Sequence, residues 1–223
     1  MLKKILTIIL LLTSIIKTEP SGELIKETRE KLAQLNMTFL KNDYPDKSTV
    51  DELGKLLTEL KEVKTFPESI SDSQKANEKR ERLIESFNAF ENFFKNNPEV
   101  DTLKKVFRVV NNEFNSLLGN YFLDELKKTS NKKIIVFSTS ISCECTLELC
   151  YKQEAEIQKL EKENPDLFDY AVIDAWVNTE LQREYNVGFI PTILILDSKN
   201  KELKRFVREE NVNEIVNCVL NTN

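Results

Sequence analysis

The sequence predicts an α/β domain, built on a mixed sheet with helices on both faces, preceded by an all-α helical domain. Three observations predict it. From Ser21 to about Lys128 apolar residues recur at intervals of three and four, the spacing of one helix face. Thr129-Ser130-Asn131 then marks a junction, and short β-branched runs replace the helical period. Beyond it the segments come in the order β-α-β-α-β-β-α, which folds as a sheet covered on both sides. The chain therefore divides into residues 1–19, a helical domain over 20–129 and an α/β domain over 130–223.

Each element has its own signal. Leu24, Thr28, Leu32, Leu35 and Phe39 form the inner stripe of a first helix. Ser48 is the expected N-cap of a second, with Asp51 in its first turn and Val50, Leu53, Leu56, Leu57 and Leu60 facing inward. Phe66-Pro67 and the serines after it break the chain. A third helix carries Leu83, Ile84, Phe87, Phe90 and Phe94 and stops at Asn96-Asn97. Pro98 suits the first turn of a fourth, with Leu103, Phe107, Val110, Phe114, Leu117 and Tyr121 inward. The last two are expected as an antiparallel hairpin, and the phenylalanine stripe as bundle core rather than a ligand groove.

In the second half, KKIIVFS (132–138) is apolar without alternation, as in a strand buried on both faces. Thr146 to Glu163 reads as a helix, DYAVIDA (169–175) as a strand and Asn178 to Tyr185 as a short helix. TILILD (192–197) and ELKRFV (202–207) flank the turn Ser198-Lys199-Asn200 and read as an antiparallel pair. Asn211 is placed to cap a last helix, in which Cys218 is a small core residue.

Composition narrows the chemistry. The 223 residues carry a net charge of −5, with lysine and glutamate interspersed, so there is no basic stripe for a nucleic-acid partner. Four glycines and neither GxGxxG nor GxxxxGK leave no phosphate-cradling loop. Histidine is absent, which removes Ser-His-Asp and Cys-His catalysis and the commonest zinc ligand. Two lysines and an apolar run from Ile5 to Ile16 open the chain. As a helix those residues would reach about 18 Å, short of a bilayer core, so an export signal is expected. Ile15, Ile16 and Lys17 make a poor cleavage site, which leaves membrane anchoring through residues 5–16 open. The expected location is periplasmic or extracellular, where disulfides persist.

The chemistry then concentrates in SCECTLELC (142–150), which holds three of the four cysteines. Together with IIVFS, YAVID and REYNVGFIPTILILD, this cluster at the start of a helix resembles the thioredoxin family over residues 132–223. The resemblance implies a thioredoxin-like fold, a cis Ile190–Pro191 bond facing the redox cysteines, an Ile190 backbone that pairs with a substrate strand, and thiol–disulfide exchange. It also shows departures. No tryptophan precedes the cysteines, no pair has CxxC spacing, and Val136 stands where the family carries a buried aspartate.

Three readings of the cluster stay open. In the redox reading a helix N-terminus favours a thiolate, opposed here by Glu144 and Glu148. Cys145 is then the expected nucleophile, Cys150 or Cys143 the resolving thiol, and protein thiols or disulfides and a further redox protein the partners. A Cys143–Cys145 disulfide closes a very small ring, so Cys145–Cys150 is the preferred resting pair. In the metal reading three thiolates hold Cu(I) or, with a glutamate, zinc. In the structural reading two cysteines staple loop to helix, and the domain is a binding module that keeps the shape alone. The redox reading is adopted, with Cys143, Cys145 and Cys150 as catalytic, Ile190 and Pro191 as substrate-binding, and neither cofactor nor metal expected.

Overall fold

In the computed structural model residues 22–63, 73–209 and 211–221 are described. Residues 1–19, expected as an export signal or anchor, and the expected break at Phe66-Pro67 lie outside them. Among the described residues four helices come first: α1 (Gly22–Leu40), α2 (Lys47–Glu62), α3 (Ser73–Lys95) and α4 (Val100–Lys128). There follow β1 (Lys132–Ser138), α5 (Glu144–Glu163), β2 (Phe168–Asp174), α6 (Thr179–Glu184), β3 (Thr192–Leu196), β4 (Glu202–Val207) and α7 (Val212–Asn221). The sheet order is β2-β1-β3-β4, with β1 parallel to β2, antiparallel to β3, and β3 antiparallel to β4. With the cis Ile190–Pro191 bond before β3, this is a thioredoxin-like fold in the C-terminal region, preceded by an all-helical region. Among the described residues no helix is long and apolar enough to cross a membrane.

The unbroken apolar run of β1 follows from its central place. Ile134 and Val136 point to one face, where Ile157 and Leu160 of α5 and Ile215 and Val219 of α7 cover them. Ile135 and Phe137 point to the other, against Leu123 and Leu126 of α4. Cys218 is partly buried against the first of these cores. The phenylalanine stripe is bundle core: Phe39, Phe87, Phe90, Phe107 and Phe114 are all buried together. Lys79 donates to the Ser116 carbonyl and Arg82 pairs with Glu113, so α3 and α4 run antiparallel.

In the helical region two helix starts differ from expectation. The N-cap of α2 is Asp46, whose carboxylate accepts from the Ser48 N–H at 3.4 Å and its hydroxyl at 2.6 Å. Asp46 takes that role by accepting both the Ser48 N–H and the Ser48 hydroxyl, which turns the serine from cap into donor. Pro98 lies just outside α4, whose N-cap is Glu99. Asn97 before it has φ 49°, a left-handed conformation that asparagine tolerates, and it reverses the chain after α3.

The helix α4 belongs to two cores. Its first half, through Leu103, Phe107, Val110 and Phe114, packs into the bundle, while its last turns lie on the sheet. At the crossing stands Gly119, where a Cβ would sit 2.8 Å from the Val172 carbonyl oxygen. Helix and strand approach as closely as a bare backbone allows. The helix α5 also bridges, with Tyr151 in the bundle core and its hydroxyl donating to the Asn36 carbonyl at 2.8 Å. Between them lies a buried polar seam. Glu154 Oε1 accepts from Asn111 at 2.7 Å and Asn115 at 3.1 Å, and Asn36 donates to Gln158 at 2.9 Å. Burial pushes the Glu154 carboxyl up, against the amide donors that pull it down. Arg29 of α1 completes the seam, lying 3.6 Å over the Tyr170 ring and donating to the Tyr170 carbonyl at 2.7 Å.

Gly119→Ala tests this contact. Alanine in a helix interior is worth about 1 kcal/mol over glycine, but forcing a methyl onto a backbone oxygen costs about 1–3 kcal/mol. Urea denaturation of Gly119→Ala should therefore show lower stability than the parent. A more stable variant would mean that α4 does not approach β2 this closely.

Candidate functional site

The site begins with the four N–H groups that any helix start leaves without partners. In α5 the N-cap is Cys143, extended at φ −66° and ψ 154°, and its carbonyl accepts from the Thr146 and Leu147 N–H groups at 3.0 Å. Its sulfur lies 2.8 Å from Cys145 Sγ and 3.2 Å from Thr146 Oγ1. Donation from the Cys145 thiol, then from the Thr146 hydroxyl and N–H, draws the Cys143 thiol down to about 6. Both Cys143 and Cys145 are exposed. A thiolate with that value is largely formed at neutral pH and open to a reaction partner.

Cys150 has a different environment. It is 2% exposed, within the second turn of α5. Burial pushes its thiol up to about 11, against donation from the Ser138 hydroxyl and the Thr139 N–H. A protonated thiol held against the end of β1 is a poor partner for an exposed one. The sequence preference is for a Cys145–Cys150 disulfide; in this structure the thiol beside Cys145 is Cys143, at 2.8 Å. The sequence pattern starts the helix at Thr146, and the family resemblance sets Cys145 in the first-cysteine place. The helix begins at Glu144, and the capping sulfur moves two residues back. Read from Cys143 the segment is C-x-x-T, with Thr146 where a CxxC motif has its second cysteine. The sulfurs also do not form a three-ligand set. Among the described residues no group of three or more cysteine or carboxylate side chains is placed to hold a metal ion.

The loop around Cys143 shares a cleft with the segment before β3. Ile141, Ser142 and Thr146 form one wall of a cavity of about 570 Å³, and Gly188, Phe189 and Ile190 form another. Pro191, in the cis peptide, is buried behind Ile190, and its carbonyl accepts from the Arg208 N–H at 2.8 Å. The Thr192 hydroxyl bonds the Phe189 carbonyl at 2.7 Å and fixes the turn. Ile141, Trp176 and Phe189 are each more than half exposed on the rim. Large apolar side chains left in water around a cleft mark a binding surface.

Sequence reasoning missed three contributors. Asp174, buried at the end of β2, accepts from the Ser140 N–H at 3.2 Å and the Trp176 N–H at 3.0 Å. It thereby joins the cysteine loop to the rim tryptophan. Thr146 was legible as C-x-x-T had Cys143 been taken as the cap. The third, Arg108 of α4, donates to Glu144 Oε1 at 2.8 Å, and no local pattern announces a contact 36 residues away. Val136 is buried in the sheet core, as its place in β1 requires.

No protein-family model matches the chain, and no curated protein matches it at a significant level. Among solved structures, mitochondrial thioredoxin 3 from Saccharomyces cerevisiae in its oxidized form is 16% identical, covering 44% of this chain and 85% of that one, with a TM-score of 0.37. Thioredoxin NaTrxh from Nicotiana alata is 22% identical, covering 44% and 77%, with a TM-score of 0.36. Thioredoxin from Fasciola hepatica is also 22% identical, covering 43% and 88%, with a TM-score of 0.35.

The thiol environments give a direct prediction. In a brief iodoacetamide pulse on the reduced protein, the rate at Cys143 should rise with pH and reach half its plateau near pH 6, where that thiol ionises. Cys150 should stay unlabelled up to pH 9 while the protein is folded, since burial holds it protonated to about 11. Peptide masses after quenching read both, and equal labelling of the two at pH 7 would contradict the site.

Proposed function

We propose that this chain is a thiol–disulfide oxidoreductase acting on protein substrates, with Cys143 as nucleophile and Cys145 as resolving thiol. One observation carries the reading: an exposed cysteine stands at a helix N-cap, its sulfur 2.8 Å from a second exposed thiol, between Ser142 and Thr146, which line a cleft shared with Gly188, Phe189 and Ile190. The Cys143 thiolate attacks one sulfur of a substrate disulfide, forming a mixed disulfide and releasing the other substrate sulfur as a thiolate that takes up a proton. Cys145 then loses its proton and attacks Cys143 Sγ. A Cys143–Cys145 disulfide forms and the second substrate thiolate leaves. Two electrons have passed from the protein to the substrate, and the reverse sequence oxidises a dithiol.

The remaining residues support these steps. The Thr146 hydroxyl and N–H stabilise Cys143 both as attacking and as leaving thiolate. Ile190, backed by the buried Pro191, forms the wall against which an extended substrate segment lies, and Ile141, Trp176 and Phe189 receive its apolar side chains. Residues 1–19 act as an export signal or anchor that delivers the protein to an oxidising compartment outside the cytoplasm. There a further redox protein resets the Cys143/Cys145 pair. Cys150 is a buried companion of the site and not a redox participant.

Reduced protein mixed with a disulfide-linked fluorogenic peptide should cleave it. Cys143→Ser should lower that rate by about two orders of magnitude or more. Cys145→Ser should stall after the first step, as a mixed disulfide on Cys143 detectable by intact mass, whereas Cys150→Ser and Cys218→Ser should stay within about twofold of the parent. A parent protein that fails to cleave the peptide, or a Cys143→Ser variant that matches it, would favour the binding-module reading.

A further inference from the structure

The helical region supplies charge to the start of α5. Glu144 lies between Cys143 and Cys145 in sequence, and Glu148 lies one turn on. Both carboxylates are met from α4. Arg108 Nη2 donates to Glu144 Oε1 at 2.8 Å, and Arg108 Nη1 lies 3.5 Å from Glu148 Oε2. Lys104 Nζ lies 2.6 Å from Glu148 Oε1 and 5.0 Å from the centre of the Tyr151 ring. The carboxylates are largely in water, with side chains 59% and 49% exposed, but the cations are not: Arg108 is 9% exposed and Lys104 14%. An arginine ordered by packing, one of whose nitrogens has no hydrogen-bond partner and only the longer ion pair, is built for this contact. A surface side chain would have chosen it freely.

We propose that Arg108 and Lys104 are positioning residues of the redox centre: from the helical region they hold and neutralise Glu144 and Glu148, so that the first turn of α5 presents Cys143 as a reactive thiol. This deepens the exchange reading and rests on Cys143 being the reactive sulfur. The charged and titratable groups around Cys143 are Glu144, Cys145, Glu148 and Cys150 on its own helix, and Lys104, Lys105 and Arg108 on α4. Asp174 at the end of β2 acts on Cys150, and Arg208 after β4 lines the neighbouring cleft. Without the α4 cations, two carboxylates beside the thiol would act unopposed and disfavour a second negative charge. With the cations the start of α5 is close to neutral, and the N–H donors of the cap decide the thiol chemistry. The same pairs fix the direction in which α5 leaves its cap, through side chains from another layer of the molecule.

Two full-length double variants test this, because both break the same ion pairs with opposite charge consequences. Arg108→Met/Lys104→Met leaves the carboxylates unopposed. Glu144→Gln/Glu148→Gln leaves the cations unopposed. The readout is the pH profile of Cys143 alkylation, measured on each reduced protein after its thermal melt shows it folded. The first variant should move the profile up by about one pH unit, and the second should move it down by a similar amount. A purely structural role would move both profiles in the same direction or neither, and either result overturns the proposal. Should the methionine variant not fold, the glutamine variant decides alone: a downward shift supports the proposal, and no shift or an upward one defeats it. The peptide-disulfide assay on the parent separates the two readings. If the variants shift as described but the parent does not exchange disulfides, the protein retains this charge device and loses the proposed function.

Discussion

The first turn of α5 has donors that its own helix cannot satisfy, and the chain sets a cysteine at that N-cap, its sulfur beside the Cys145 thiol and the Thr146 hydroxyl. That constraint organises the site. A hydroxyl or carboxylate cap would serve stability as well or better, so a cysteine at the N-cap places a soft, ionisable atom where partial positive charge is available. The Thr146 hydroxyl and the Cys145 thiol then surround this atom with donors, and the turn before Pro191 supplies the opposite wall.

The larger architecture keeps that helix start in place. Because α4 spans the bundle core and the sheet core, the four-helix region is tied into the α/β region along a whole helix. Gly119 permits the contact at the strand, Tyr151 anchors α5 in the bundle, and the amides around Glu154 fill the seam. Burying a carboxyl is unfavourable unless its partners are fixed. Asn111, Asn115 and Gln158 must therefore hold their orientation, and with them the relative setting of α4 and α5. Arg108 and Lys104 lie on the same helix that carries Asn111 and Asn115. The seam and the charge pairs at the site are thus two ends of one contact.

Most of the fold is legible in the sequence, because hydrophobic period is a local signal. The alternating faces of β1, the phenylalanine stripe and the Ser198-Lys199-Asn200 turn all follow from neighbours within a few residues. The helix starts are harder, since they are decided by competition between adjacent residues: Asp46 over Ser48, and Cys143 over Cys145. In the second case a shift of two residues changed which thiol caps the helix and which pair of sulfurs meets. Contacts between layers leave no trace in local pattern. Arg108 meets Glu144 only because α4 and α5 fold side by side, and Glu154 reads as a solvated glutamate until three amides enclose it.

The pairing of the cysteines on oxidation bears most directly on the site as a whole. All three clustered cysteines are separated by cleavage after glutamates, since Glu144 divides Cys143 from Cys145 and Glu148 divides Cys145 from Cys150. Reduced, folded protein treated with one molar equivalent of diamide and digested in this way under non-reducing conditions should yield a Cys143–Cys145 bridge with Cys150 still a thiol. A bridge from Cys150 to either of the others, with one of the exposed pair left free, would contradict the capping-sulfur centre described here.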